Sequence, residues 1–220
     1  MTRKRGTALA ASSAKLHDDV AEKPSPESVR DAVVLMKVER IIQEAADLFF
    51  REGYTNTKVS DISDRLGMTK PFIYYHFHSK VDILIEICER GTRDALEAVE
   101  RAIADQSTPT ARYTAFVRAF ADAVLEDYKF VLIYFREELN LPEQSATKIN
   151  AMRRHINDLL LGILEEGNAS GEFRVNDTKL SALIVAGMAS YAFAWYRGKG
   201  RLKKNEIVDE ITRSSLKLVT

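Results

Sequence analysis

Residues 57–80 read TKVSDISDRLGMTKPFIYYHFHSK, and this stretch decides the fold. Val59, Ile62 and Leu66 stand three and four apart, so they share one face of a short helix. Gly67 stops that helix, because glycine enters the left-handed backbone of a tight turn without steric cost. Thr69 can cap a second helix. Pro71 fits its first turn, where backbone N–H groups have no intrahelical partner. Ser79 caps a third, with Asp82 at its third position as a capping-box variant. Two short helices joined by a glycine turn form a helix-turn-helix. Ile62 and Leu66 supply its packing, Ser63 is small enough to let the second helix approach, and Met68 and Ile73 close the core from the other side.

The outward positions of the second helix then read as a surface for double-stranded DNA. Residues 53–80 hold Lys58, Arg65, Lys70 and Lys80 against Asp61 and Asp64, so the segment is net positive. Hydroxyls and helix N-termini bind phosphates, which suits Thr57, Ser60, Tyr75 and Lys80. Lys70, Phe72 and Tyr74 face the groove: a lysine can read a guanine edge, and a phenyl ring can pack on a thymine methyl. Thr69, Pro71 and His76 complete the surface.

Outward from this core, Ser25 is an N-cap with Pro26 at the first helical position. Val34, Val38, Ile41, Ile42, Ala45, Leu48 and Phe49 mark one face of a helix over about 26–51, ended by Gly53. Beyond Ser79 the chain reads as long helices: to about Ala104, from Pro109 to near Tyr128, from Phe130 to Asn140, and from Glu143 to Glu166, ended by Gly167. Asp177 caps a helix to about Arg197. After the basic loop GKGRLKKN, a last helix runs from Asn205 to Leu218. With no alternating strand pattern, the fold class is all-α, about nine helices. A basic arm over 1–24, expected to be flexible, precedes a helix-turn-helix domain over 25–85. Residues 86–220 form a second helical domain.

Composition fits. Lys+Arg and Asp+Glu are both 32 among 220 residues, so net charge alone does not point to nucleic acid. The first 17 residues, however, carry Arg3, Lys4, Arg5 and Lys15 and no acid, which suits a polyanion as well as a solvated tail. No apolar run follows that basic start, so it is not a secretory signal. Cys88 alone supports neither a disulfide framework nor a cysteine metal site. Leu180 to Tyr196 is uncharged, but its serines, glycine and alanines, and a length below the roughly 20 apolar residues of a membrane span, mark a helix buried against protein. No membrane contact and a cytoplasmic location are expected.

The helix before this stretch, followed by GYTNTKVSDISDRLGMTKPFIYYHFHSKVDIL, closely resembles the DNA-binding domain of the tetracycline-repressor (TetR) family of transcriptional regulators. The matching pieces are Ala45-Ala46, Leu48-Phe49, Gly53-Tyr54, Thr57, Asp61-Ile62, Leu66-Gly67, Tyr74 to Phe77, Lys80 and Leu84. The resemblance implies an all-helical homodimer, with an N-terminal operator-binding domain and a C-terminal domain, here residues 86–220, that binds a small effector and dimerises. The extension over 1–36 departs from the pattern. FVLIYFREE (130–138), EEGNASGEFR (165–174) and WYRGKGRLKKNEI (195–207) are similar to regulators of fatty-acid, sterol or aromatic-acid breakdown that respond to acyl-CoA thioesters.

For the effector, Phe116 and Phe120 stand four apart and can share a pocket wall. Tyr128, Tyr134, Arg136 and Asn140 would be polar fixtures, with Trp195 nearby; ordinary core is the plainer role for such aromatics. Arg153, Arg154 and Arg197 could meet CoA phosphates. Ala182, Ala186 and Ala189, with Ile207, Ile211 and Leu218 on the last helix, could build a two-fold interface or pack within one subunit. His76 and His78 are two apart and face apart, so no metal is expected. Cys88, on an apolar face, reads as an inert buried thiol. No catalytic residue and no cofactor beyond the effector are expected. The expected function is a ligand-responsive regulator, a repressor released from its operator by an apolar effector such as an acyl-CoA. The alternative is an all-helical enzyme or carrier acting on an acyl thioester.

Overall fold

The computed structural model describes residues 26–196 and 200–220. The basic arm, the Ser25 cap and Arg197 lie outside the described residues. Within them run α1 (Pro26–Glu52), α2 (Val59–Leu66), α3 (Lys70–His76), α4 (Lys80–Ala104), α5 (Pro109–Glu126), α6 (Tyr128–Glu137), α7 (Glu143–Ser170), α8 (Thr178–Ser190) and α9 (Lys204–Val219). Two 3-10 turns, Glu138–Asn140 and Tyr191–Ala194, follow α6 and α8, and no strand occurs among the described residues. The chain divides after Met36 into two units. In the first, Val33, Val34, Leu35 and Met36 are exposed, so the apolar face of α1 is buried only from Ile41 onward.

Local chemistry sets the helix ends. The Lys58 N–H donates to the Asp61 carboxylate over 2.7 Å and fixes the start of α2. Gly67 has φ 61°, and the Gly67 and Met68 N–H groups cap the Asp64 and Ser63 carbonyls. At the start of α4 the Ser79 hydroxyl accepts from the Asp82 N–H (3.3 Å), and the Asp82 carboxylate accepts from the Ser79 N–H (2.9 Å), closing the capping box. Such a cap contributes about 1 kcal/mol.

Two helix ends differ from the sequence reading. Gly167 does not stop α7, which continues to Ser170 and ends at Gly171 with φ 80°. The absent side chain at Gly167 instead admits the Phe173 ring, whose Cδ2 would lie 1.9 Å from an added Cβ. The helix capped by Asp177 ends at Ser190 rather than near Arg197. Its 3-10 continuation turns Phe193 inward, where it stacks on Phe135 with centroids 4.8 Å apart.

Two apolar clusters fill the second unit. One joins Ile41, Ile42, Ala45 and Phe49 of α1 to Ile62 of α2, Ile73 of α3 and Ile83, Leu84 and Ile87 of α4. It also takes in Phe130, Ile133 and Tyr134 of α6 and Ile149 of α7. The other packs Val99 and Ile103 of α4 with Tyr113, Phe116 and Val117 of α5, Leu160 and Ile163 of α7, Val185 of α8 and Ile211 of α9. Each large side chain fully buried in this way contributes about 1.5–3 kcal/mol of hydrophobic transfer. Helix α4 therefore has its first half in one cluster and its second half in the other.

Candidate nucleic-acid interface and ligand cavity

Helix α3 turns one side into the core and leaves the other open. Ile73 and Phe77 are buried, whereas Thr69, Lys70, Pro71, Tyr74 and Tyr75 are exposed. Tyr75 is 79% exposed and Tyr74 46%, so both rings are open to a partner. Phe72 is half-buried beneath the Lys37 ammonium, 5.2 Å from the ring centroid. The half-buried His76 ring meets the edges of Phe72 and Tyr75, each with centroids 4.9 Å away. An Arg65–Glu44 ion pair of 2.7 Å ties α2 to α1. Ser60, at the N-terminal end of α2, is half-buried, with its hydroxyl 3.5 Å from the Asp61 carboxylate.

Two of the expected phosphate contacts have partners within the subunit. Thr57 is fully buried, and its hydroxyl donates to the Gly53 carbonyl over 2.9 Å, so it closes the loop after α1. Lys80 is half-buried, and its ammonium donates to the carbonyls of Tyr54 (2.7 Å), Thr57 (2.8 Å) and Thr55 (3.5 Å). It also lies over the Tyr54 ring at 4.2 Å. Burial lowers the pKa of this ammonium, against the pull of Glu137 and Asp61. Lys80 is a clamp on the loop that leads into α2.

A cavity of about 230 Å³ opens between α4, α5, α6, α7 and α8. Cys88, Gly91, Thr92 and Ala95 line it from α4, and Phe120 and Val124 from α5. Phe130, Val131, Tyr134 and Phe135 line it from α6, Arg153, Ile156 and Asn157 from α7, and Leu183, Ala186, Gly187 and Ser190 from α8. The small residues Gly91, Ala95, Ala186 and Gly187 leave the space that larger side chains would fill. The backbone of α6 passes so close to α4 that a Cβ on Gly91 would stand 3.2 Å from the Phe130 Cβ. Burial pushes the Cys88 thiol up to about 12, so it is a neutral wall.

Of the expected effector residues, Phe120 and Tyr134 line this cavity; the others do not. Phe116 is core, 1% exposed. Tyr128 packs edge-on to Phe50 and Tyr196. Arg136 donates to the Phe50 carbonyl at 3.4 Å, Asn140 to Glu137 at 2.8 Å, and Trp195 is 53% exposed away from the lining. Helix period alone could not tell which aromatic side of α5 and α6 turns toward α8. Gly91 of α4 was missed, because a glycine inside a helical pattern carries no signal of what packs against it.

The expected dimer residues are also redistributed. Ala182, Ala189, Ile207 and Ile211 are buried within the subunit, and Ala186 faces the cavity. The small residues let α8 approach its neighbours inside one chain. Leu218 is exposed. The apolar side chains that α8 turns outward are Leu180, Ile184 and Leu183, the last at the mouth of the cavity, followed by Tyr191 in the 3-10 turn, each more than half exposed.

Comparison with known proteins follows the same division. A family described as bacterial regulatory proteins, tetR family, matches residues 41–87. One described as tetracyclin repressor-like, C-terminal domain, matches residues 106–219. The HTH-type transcriptional repressor KstR2 of Rhodococcus jostii is 28% identical over 181 residues, covering 81% of this chain and 87% of that protein. The TetR family transcriptional regulator PfmR from Thermus thermophilus superimposes with a TM-score of 0.76 at 30% identity, over 81% of this chain and 97% of that one. AibR, solved in complex with isovaleryl coenzyme A and operator DNA, superimposes with a TM-score of 0.71 at 26% identity, over 80% of this chain and 96% of that one.

Proposed function

The chain belongs to the tetracycline-repressor family of bacterial regulatory proteins, and from that premise we propose that it is a dimeric, ligand-responsive repressor of transcription. Residues 25–85 are the DNA-binding part and 86–220 the effector-binding and dimerisation part. Two copies of α3 enter successive major grooves of a near-palindromic operator, about one helical turn or a small multiple apart. The exposed apolar side chains of α8 meet those of a second copy. A small apolar effector, such as an acyl-CoA thioester, occupies the cavity and releases the DNA. The setting is the cytoplasm, where the operator lies.

One observation carries the ligand-responsive part. Phe130 and Tyr134 line the cavity and also belong to the apolar cluster that holds α1, α2 and α3. Cys88 of α4 does the same, one residue beyond Ile87 in that cluster. A ligand that moves α6 or α4 therefore moves the packing under the reading head. The effector must bind the released state more tightly; a coupling of about 1–3 kcal/mol changes operator affinity 5- to 150-fold.

The test is fluorescence anisotropy on a duplex selected in vitro from a random library, with and without a panel of acyl-CoA thioesters. Sequence-selective binding weakened by one thioester is the expected result. Failure to select any sequence would reject the regulator reading.

A further inference from the structure

We propose that Arg153 is the specificity-determining residue of the cavity, taking a carbonyl or carboxylate oxygen of an acyl effector whose apolar part is a short chain or a single ring. This rests on the ligand-responsive reading above and narrows it.

Arg153 is exposed at the edge of the cavity, yet it is held in place. One guanidinium N–H donates to the Tyr134 hydroxyl over 2.8 Å, and the guanidinium carbon stands 5.1 Å and 5.6 Å from the ring centroids of Tyr134 and Phe135. No carboxylate pairs with it among the described residues. A guanidinium has five N–H donors, so donors remain for a ligand oxygen. Of the other polar groups, the Asn157 amide is uncharged. The Thr92 and Ser190 hydroxyls donate to carbonyls of their own helix, at 3.2 Å and 3.4 Å. Among the described residues, Arg153 is the one charged member of the lining.

Volume sets the apolar part. The space of about 230 Å³ exceeds the roughly 150 Å³ cavity that admits benzene and falls short of the roughly 300–1,000 Å³ of drug-sized sites. A ring, or a chain of about five to eight carbons, fits between those limits. A four-ring sterol skeleton or a palmitoyl chain would have to extend beyond it.

Isothermal titration calorimetry on the full chain tests this with isovaleryl-, octanoyl-, benzoyl- and palmitoyl-CoA, octanoate and the neutral hydrocarbon butylbenzene. Wild type is expected to bind octanoyl- or benzoyl-CoA and to bind palmitoyl-CoA at least tenfold more weakly. Arg153→Ala should weaken the preferred acyl probe at least tenfold and leave butylbenzene within twofold, with melting temperature and operator affinity unchanged. Arg153→Lys, which restores charge without the planar fork, should recover part of the loss. Octanoate binding as tightly as octanoyl-CoA would identify the free acid as the source. Binding of the thioester alone would identify the coenzyme A ester. Equal binding by wild type and Arg153→Ala, or preference for palmitoyl-CoA, overturns the proposal. So does a wild type that selects an operator but binds no acyl probe, which leaves the regulator reading intact. Arg153-dependent acyl binding with no operator selected would sustain this inference and reject the regulator.

Discussion

The ammonium of Lys80 lies 4.2 Å from the ring centroid of Tyr54 and donates to that residue's carbonyl over 2.7 Å. A lysine spent on backbone carbonyls is structural, whatever its charge suggests. Lys80→Ala should lower stability by about 1–3 kcal/mol, because the carbonyls it satisfies lose their donor. For a chain of this size each kcal/mol lowers the melting temperature by about 2–4 °C. Thermal unfolding measures the loss. The salt dependence of operator affinity should stay unchanged; a slope reduced by about 0.9 would restore Lys80 as a phosphate contact.

Lys70 and Tyr74 are exposed one turn apart on α3 and should behave differently from Lys80. Tyr74→Ala should cost about 1–3 kcal/mol on the selected operator and much less on random duplex, as expected of a base contact. Lys70→Ala should weaken the selected operator and alter the preferred base at one half-site position. Anisotropy titrations on both duplexes separate the effects, and uniform losses on both would assign these residues to phosphates instead.

Ile184 is 51% exposed on α8, while Ala182, two residues away, is 4% exposed. Ile184→Asp should shift the protein toward monomer in light scattering at micromolar concentration without lowering the stability of the subunit. Ala182→Leu should instead lower the melting temperature, since overpacking a filled core costs about 1–3 kcal/mol. A dimer undisturbed by Ile184→Asp would move the interface off this face of α8.

At Gly167 an added Cβ would meet the Phe173 ring at 1.9 Å. Gly167→Ala should therefore destabilise by at least about 1–3 kcal/mol, despite alanine's better helix propensity. Phe173→Leu, made in the same chain, should recover part of the loss. Additive losses in a double-mutant cycle would show that the two positions do not meet.

Glu39 pairs with Arg90, joining α1 to α4. Burial acts to raise its pKa, but the hydrogen bonds from Gln43 and Arg90 and the Arg90 charge together bring it below 4.5. A carboxylate with a lowered folded-state pKa stabilises the protein above its unfolded value and loses that contribution as pH falls through the folded value. Glu39→Gln should thus cost less than about 1 kcal/mol at pH 7, because the pair is partly solvent-screened. The difference from wild type should shrink as pH falls below 4.5. Denaturant unfolding of both proteins at several pH values measures it.

The reading head was legible because its determinants are local. Helix period, the turn at Gly67, the capping box at Ser79 and the placement of Ile62 and Ile73 all act within a few residues. The cavity was not, since its walls come from five helices and depend on how each is rotated about its axis. Phe116 and Phe120 carry the same kind of side chain four residues apart, yet Phe120 lines the cavity and Phe116 does not. Arg136 and Arg153 are both exposed, yet Arg136 reaches the Phe50 carbonyl and Arg153 the Tyr134 hydroxyl beside the cavity.

By itself the sequence determined the all-helical class, the helix-turn-helix and the exposed side of α3, because apolar spacing and turn residues act at short range. Only the tertiary structure decided that Lys80 clamps a loop, that Gly167 is a seat for Phe173, and that Ala182 and Ala189 pack inward while Leu183 and Ile184 face out. Those outcomes depend on contacts between residues far apart in the chain. The same residue type serves a surface or a core according to which neighbour the packing brings to it.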